Sequence, residues 1–110
     1  MLSPELGLTP CLNPLNCVYV QKEFKNVDRT FDQLVSLTQE IPRTKVLVNN
    51  DFYWKGVCRS LIFRFPDDLE IFKLGNRIQI RSASRYGVGD LGVNGNRVGR
   101  LLTALEKLNS

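Results

Sequence analysis

Three segments concentrate polar side chains that folding alone does not explain: Arg59-Ser60, Phe65-Pro66-Asp67-Asp68, and Arg81-Ser82-Ala83-Ser84-Arg85 continuing through Asp90-Leu91-Gly92-Val93-Asn94 to Arg97. A Ser-rich strand end, a Gly-rich loop and a capped helix start, in that order, are the parts of an anion site. They offer free backbone N–H groups and the positive end of a helix dipole, with Arg97 one turn in to add a full charge. Arginine grips carboxylate and phosphate bidentately, so Arg59, Arg81, Ser84, Arg85, Asn94 and Arg97 are the candidate ligand-binding residues. The partner implied is a small anionic or amphipathic ligand, or an acidic segment of another protein. Neither P-loop nor dinucleotide spacing is present, which argues against nucleotide hydrolysis. A structural reading competes with the functional one. In it, Arg81 only pairs with Glu70 across a hairpin, and Asp90 only closes a turn or holds Arg85.

The sequence contains no histidine. That removes Ser-His-Asp and Cys-His nucleophilic machinery, His-based zinc sites and the usual general base near neutral pH. Carboxylates are the strong bases that remain. The rival reading is therefore a hydrolase-type enzyme using Asp67, Asp68 and Asp90 as acid, base or magnesium ligands, which requires the three to converge in a cleft. The leading reading is non-enzymatic binding, with no catalytic residue, no metal and no cofactor. Of the three cysteines, Cys11 and Cys17 lie too far apart in sequence for zinc-site spacing, and no second pair completes a ligand set. A Cys11–Cys17 disulfide is possible wherever the compartment oxidises, while Cys58 reads as a buried small hydrophobe.

With 110 residues, 43% of them hydrophobic and 24% charged, the chain has the composition of one globular domain, residues 1–110. The net charge is +4, and its distribution says more than its total. Residues 1–75 hold nine basic and nine acidic side chains, whereas residues 76–110 hold six basic and two acidic. A local Arg excess of this size argues against nucleic acid, whose binders are more densely basic. No run approaches the ~18 apolar residues of a membrane span, and no secretory signal is visible at the start. As written, the chain reads as a monomer of the cytoplasm or plastid stroma. If a leader has been removed, the periplasm or thylakoid lumen becomes the expected setting.

These side chains need elements to position them. Residues 1–21, with Pro4, Pro10 and Pro14, read as an irregular arm that packs through Leu6, Leu8, Leu12 and Val18 on a body of residues 22–110. Val27, Phe31, Leu34, Val35 and Thr38 recur at helical spacing behind Asn26 or Asp28 as N-cap, and that helix must stop at Pro42. From Lys45 the period shortens. Val46-Leu47-Val48 and the run from Phe52 to Phe63 form one hairpin across Asn49-Asn50-Asp51. A second hairpin turns at Gly75-Asn76, which places Ile71 opposite Ile80, Leu69 opposite Ser82 and Glu70 opposite Arg81. Asn94 is placed to cap a final helix whose stripe is Val98, Leu101, Leu102, Leu105 and Leu108. The fold expected is α+β, a two-layer sandwich of a four-stranded, mainly antiparallel sheet with two helices on one face. Tyr53 and Trp54 put large aromatics on both sides of one strand, which suggests an exposed aromatic patch and a third role, assembly or interaction.

The Arg-Ser-Ala-Ser-Arg to Asp-Leu-Gly-Val-Asn block, with Pro10-Cys11, Pro14-Leu15-Asn16-Cys17-Val18 and Gln21, resembles the bacterial and plastid family called domain of unknown function 1499. The similarity spans roughly residues 8 to 108. Leu12 and Leu15 stand where that family often has proline or small polar residues. The resemblance implies a shared fold without an assigned chemistry, and its occurrence in photosynthetic cells is what suggests an assembly factor there.

Overall fold

A computed structural model describes residues 2–3, 7–61, 64–86 and 89–110. In chain order it contains β1 (Leu2–Ser3), β2 (Gly7–Leu8), β3 (Cys17–Glu23), α1 (Val27–Thr38), β4 (Thr44–Asn49), β5 (Tyr53–Arg59), β6 (Pro66–Leu74), β7 (Arg77–Ser84) and α2 (Val93–Leu108). β1 and β2 pair with each other, and the other five strands form an antiparallel sheet in the order β3-β7-β6-β5-β4.

The second hairpin has the expected register: Ile71 faces Ile80, Leu69 faces Ser82 and Glu70 faces Arg81. Gly75 opens the turn at φ 62°, a left-handed angle that glycine adopts at no steric cost. Asn26 caps α1 by accepting the Arg29 N–H at 3.3 Å, and the helix ends at Thr38, with one further turn before Pro42.

The sheet has five strands where the sequence suggests four. β3 is the addition, and it lies partly in what reads as irregular arm. Val18 and Val20 join the core while Tyr19 joins the cluster on the opposite face. Both sides of β3 are therefore partly apolar, and the clean alternation that marks a one-sided strand is missing.

Strand alternation sorts the side chains into two layers. On the helix side, Trp54, Cys58, Leu69, Ile71, Ile78 and Ile80 pack against Phe31 and Leu34 of α1 and Val98, Leu101 and Leu105 of α2. On the other side, Tyr53 and Phe72 pack with Leu8, so the arm roofs the sheet face that the helices leave open. Gly7 makes this possible. Its φ is 82°, and a Cβ there would lie 1.9 Å from Gln79 Oε1, the atom that accepts the Leu8 N–H at 2.8 Å.

Two expectations are corrected here. Tyr53 and Trp54 are both buried, at 9% and 1% exposure, so β5 presents no aromatic patch. Of the arm's expected anchors, Leu8 is buried and Val18 packs into the core between sheet and helices, whereas Leu12 is 93% exposed. The expectation for Leu6 lies outside the described residues, as do the last two residues of the run to Phe63. Beneath the arm, Tyr53 Oη donates to Glu70 Oε2 at 2.6 Å, and burial followed by that hydrogen bond to a carboxylate pushes the phenol far above its ordinary pKa. Among the described residues, no helix is long and apolar enough to cross a membrane.

Cys11 and Cys17 are joined by a disulfide with a Cα separation of 5.6 Å, and Cys58 is free and buried. Unreduced protein is therefore expected to show no thiol reactive to Ellman's reagent when native and one per chain when unfolded in guanidinium. Three thiols in the unreduced, unfolded protein would contradict the bridge. Replacing both bridging cysteines by serine should lower unfolding stability by about 2 kcal/mol on the chain-entropy estimate for so short a loop.

Candidate functional site

Asp67 is the second residue of β6 and points to the helix side, where its side chain is 3% exposed. A carboxylate buried to that degree needs a cation and hydrogen bonds to offset its lost hydration. Arg97, on the second turn of α2, supplies the cation: Nη2 lies 3.0 Å from Asp67 Oδ2. Its other terminal nitrogen, Nη1, donates to Ser82 Oγ at 3.0 Å and to Asn94 Oδ1 at 2.9 Å. Ser82 Oγ donates in turn to Asn94 Oδ1 at 2.6 Å. Three elements are thus riveted together inside the molecule, β6 through Asp67, β7 through Ser82 and α2 through Asn94 and Arg97.

Asn94 does not cap α2, contrary to the sequence reading. It sits one residue inside the helix, fully buried, and its amide nitrogen donates to Asp90 Oδ2 at 2.5 Å and Ser84 Oγ at 3.0 Å. The capping acceptor is Asp90, whose carboxylate takes the Gly92 N–H at 2.8 Å and the Asn94 N–H at 3.1 Å. Burial works against the Asp90 charge, but these hydrogen bonds outweigh it and hold the carboxyl below its ordinary pKa of 3.8. Backbone from the disulfide loop completes the cluster. Leu15 O accepts the Asp90 N–H at 3.0 Å, and Asn16 O accepts the Ser84 N–H at 2.9 Å and the Asn94 amide at 3.3 Å.

The six candidate residues do not form one site. Ser84, Asn94 and Arg97 meet in this interior network. Arg81 and Arg85 leave by the opposite sheet face, where Arg81 lies 3.7 Å from Glu70 and Arg85 grips Asp68 with Nε and Nη2 at 2.8–3.2 Å. Arg85 is thus held by Asp68 and not by Asp90. Arg59 stands at the end of β5 and donates to Arg64 O at 2.9 Å. The three aspartates do not converge either. Asp67 and Asp68 are strand neighbours and point to opposite faces, Asp67 to Arg97 and Asp68 to Arg85, while Asp90 is taken up by the α2 cap.

A cavity of about 460 Å³ adjoins the network, with Arg97 in the shared wall. It lies between the end of α1, the end of β5 and α2. Leu37, Ile41, Leu61, Val93 and Leu101 give it an apolar side, and Arg43, Arg59, Arg100 and Ser60 give it a polar one, with Glu40 as the acid of the lining. The Ser60 hydroxyl oxygen is buried and has no hydrogen-bond partner among the described residues. Cys58 lies behind this region and accepts from Thr44 Oγ1 at 3.3 Å. Burial pushes its thiol pKa up, which leaves it an inert thiol at neutral pH.

Arg43 was not legible as a site residue from the sequence. The signal available was weak, a basic residue just after the proline that ends α1. Arg100 belongs to the C-terminal charge excess and Ser60 to the Arg59-Ser60 segment, but their convergence with Arg43 depends on how α1 and α2 approach each other. The carbonyl groups of Leu15 and Asn16 have no side-chain signature at all.

The network makes two predictions. Arg97→Met strands a buried carboxylate and should cost about 3–5 kcal/mol in denaturant unfolding, while adding Asp67→Asn should restore most of the loss. A double variant no more stable than Arg97→Met alone would contradict the pairing. For Asp90 the folded-state pKa is the lower one, so its contribution is fully present above pH 3.8 and is lost as pH falls through the folded value. Asp90→Asn should therefore destabilise the protein at pH 7, and the gap from the parent should narrow in unfolding curves taken at successively lower pH below 3.8.

Among curated proteins, none matches the chain. A family match covers residues 7–105, from Gly7 in the roof to Leu105 near the end of α2, and so takes in the network, the disulfide and the cavity together. The chain belongs to the family described as Protein of unknown function (DUF1499).

Proposed function

We propose that this protein binds an amphipathic anion, an apolar body bearing one carboxylate- or phosphate-type head, in the cavity between α1 and α2. The observation that carries this reading is the cavity's two-sided lining. Its volume of about 460 Å³ lies within the ordinary range for small-molecule sites, and one side is apolar while the other carries three arginines without an ion-pair partner among the described residues. The buried Ser60 hydroxyl adds a donor that folding leaves unused. Arg97 has a different role from the one its position suggests. Its charge is committed to Asp67, so it holds the wall, and the head group falls to Arg43, Arg59, Arg100 and Ser60. The acidic-segment reading is less well supported, because the lining pairs its arginines with a substantial apolar surface. The Cys11–Cys17 bridge favours an oxidising setting, periplasm or thylakoid lumen, over cytoplasm or stroma.

Three compounds separate the parts of this reading: decanoate, its neutral glycerol ester, and acetate. Decanoate should raise the melting temperature and give saturable binding in calorimetry, while the ester and acetate bind at least tenfold more weakly. Arg100→Ala, on an exposed face of α2, should weaken decanoate by about tenfold, the worth of one charge-assisted hydrogen bond. Equal binding of decanoate and its ester, or no effect of Arg100→Ala, would overturn the assignment.

A further inference from the structure

Strand register fixes which connections meet in space. Cys17, Ser84, Asp67, Cys58 and Thr44 stand at one end of the five-stranded sheet, and the tight turns at 50–52 and 75–76 stand at the other. The disulfide loop, the β5–β6 and β7–α2 connections and the segment leaving α1 therefore share an end. That end also carries most of the exposed large apolar side chains: Leu12, Leu15, Leu61, Phe65, Tyr86 and Leu91, six of the ten among the described residues. Leu12 and Leu91 are 93% and 96% exposed, the extremes of the set.

These side chains are held outward by structure. Leu12 lies within the disulfide loop, which is fastened to the β7–α2 connection through Leu15 O and the Asp90 N–H. Leu91 has φ 56°, a left-handed angle rare for a leucine, and the Asp90 carboxylate that bonds the Gly92 N–H fixes the turn around it. A single exposed leucine is ordinary, but six large apolar side chains gathered at one end of the fold mark an interaction surface.

The unpaired charges at the same end are mostly basic, with Glu40 the acid among them. Arg43, Arg59, Arg64 and Arg100 have no ion-pair partner among the described residues, while Asp67 and Asp68 are neutralised by Arg97 and Arg85, and Asp90 is bound into the α2 cap. Apolar tips that rise from three separate connections match no single rigid partner helix or strand. They fit a fluid surface that moulds around them, and the unpaired arginines select one that is negative.

We propose that this end of the fold docks on an anionic lipid surface, with Leu12 and Leu91 entering the boundary between headgroups and acyl chains and the arginines against lipid phosphates. The inference shares Arg43, Arg59 and Arg100 with the cavity reading but rests on Leu12, Leu91 and Arg64, which the cavity does not use, and a lipid-like anion would reach the cavity from this end.

Flotation with vesicles tests it. The wild-type protein should float with phosphatidylcholine vesicles containing about a third phosphatidylglycerol and far less with phosphatidylcholine alone, and binding should fall as sodium chloride rises above physiological strength. Leu12→Ser with Leu91→Ser should reduce vesicle binding at least tenfold, with circular dichroism and decanoate binding unchanged. Arg64→Glu should reduce it severalfold on the charged vesicles only. Three results would overturn the proposal. The first is no flotation of the wild type at low salt, and the second is unchanged binding of the leucine variant. The third is a wild-type dimer in light scattering that the leucine substitutions convert to monomer, which would assign the surface to a second copy of the chain. Loss of decanoate binding with vesicle binding intact would fall on the cavity alone.

Discussion

The buried pair of Asp67 and Arg97 sets the constraint from which the other arrangements follow. A carboxylate on the helix side of β6 cannot remain charged among Cys58, Leu69 and their neighbours without a fixed counter-charge. Arg97 meets that need only if α2 lies at one height and one rotation over the sheet. Ser82 and Asn94 then fill the remaining hydrogen-bonding capacity of the guanidinium. Asn94 can do so because it has given up the capping role to Asp90, and Asp90 in turn is seated by the Leu15 carbonyl. A chain of specific polar contacts therefore runs from the disulfide loop to the wall of the interhelical cavity. Apolar packing alone would have left α2 freer to slide.

The two faces of the sheet solve the same burial problem by different means. Helices cover one, and their amphipathic stripes account for most of the core. The other is covered by a few residues of the arm, which is enough because polar groups there already satisfy one another: Tyr53 with Glu70, Gln79 with Gln21 and with the Leu8 N–H. The outer layer is thin, and it depends on Gly7 where the arm passes close against Gln79.

Much of the architecture was legible in the sequence because it rests on local rules. Helical spacing in Val27–Thr38, the Gly75-Asn76 turn and the pairing of Ile71 with Ile80 depend on neighbours in the chain. β3 was missed because its partner β7 lies some sixty residues away and because both of its faces are partly buried, which erases the alternation. The site was half legible. Ser84, Asn94 and Arg97 meet on the helix side and Arg59 stands at the same end of the sheet, yet sequence cannot say that Arg97 is already spoken for, since the parity of Asp67 along β6 decides it. Arg81 and Arg85 were grouped with the others by sequence proximity, and the strand's two-residue period separates them.

The strand order has a consequence for how the molecule assembles itself. β4 to β7 form a meander in which each strand pairs with the next, so these contacts close short loops and can form early. Of the five-stranded sheet, β3 emerges first during synthesis but pairs with the last strand to emerge, and Asn16, just before it, reaches Asn94 at a sequence separation of 78. The N-terminal fifth of the chain therefore waits, unpaired, until nearly all the rest has been made. Cys11 and Cys17 lack their folded surroundings throughout that interval. Their oxidation before or after β3 docks decides whether the loop arrives at the sheet already closed or is closed in place.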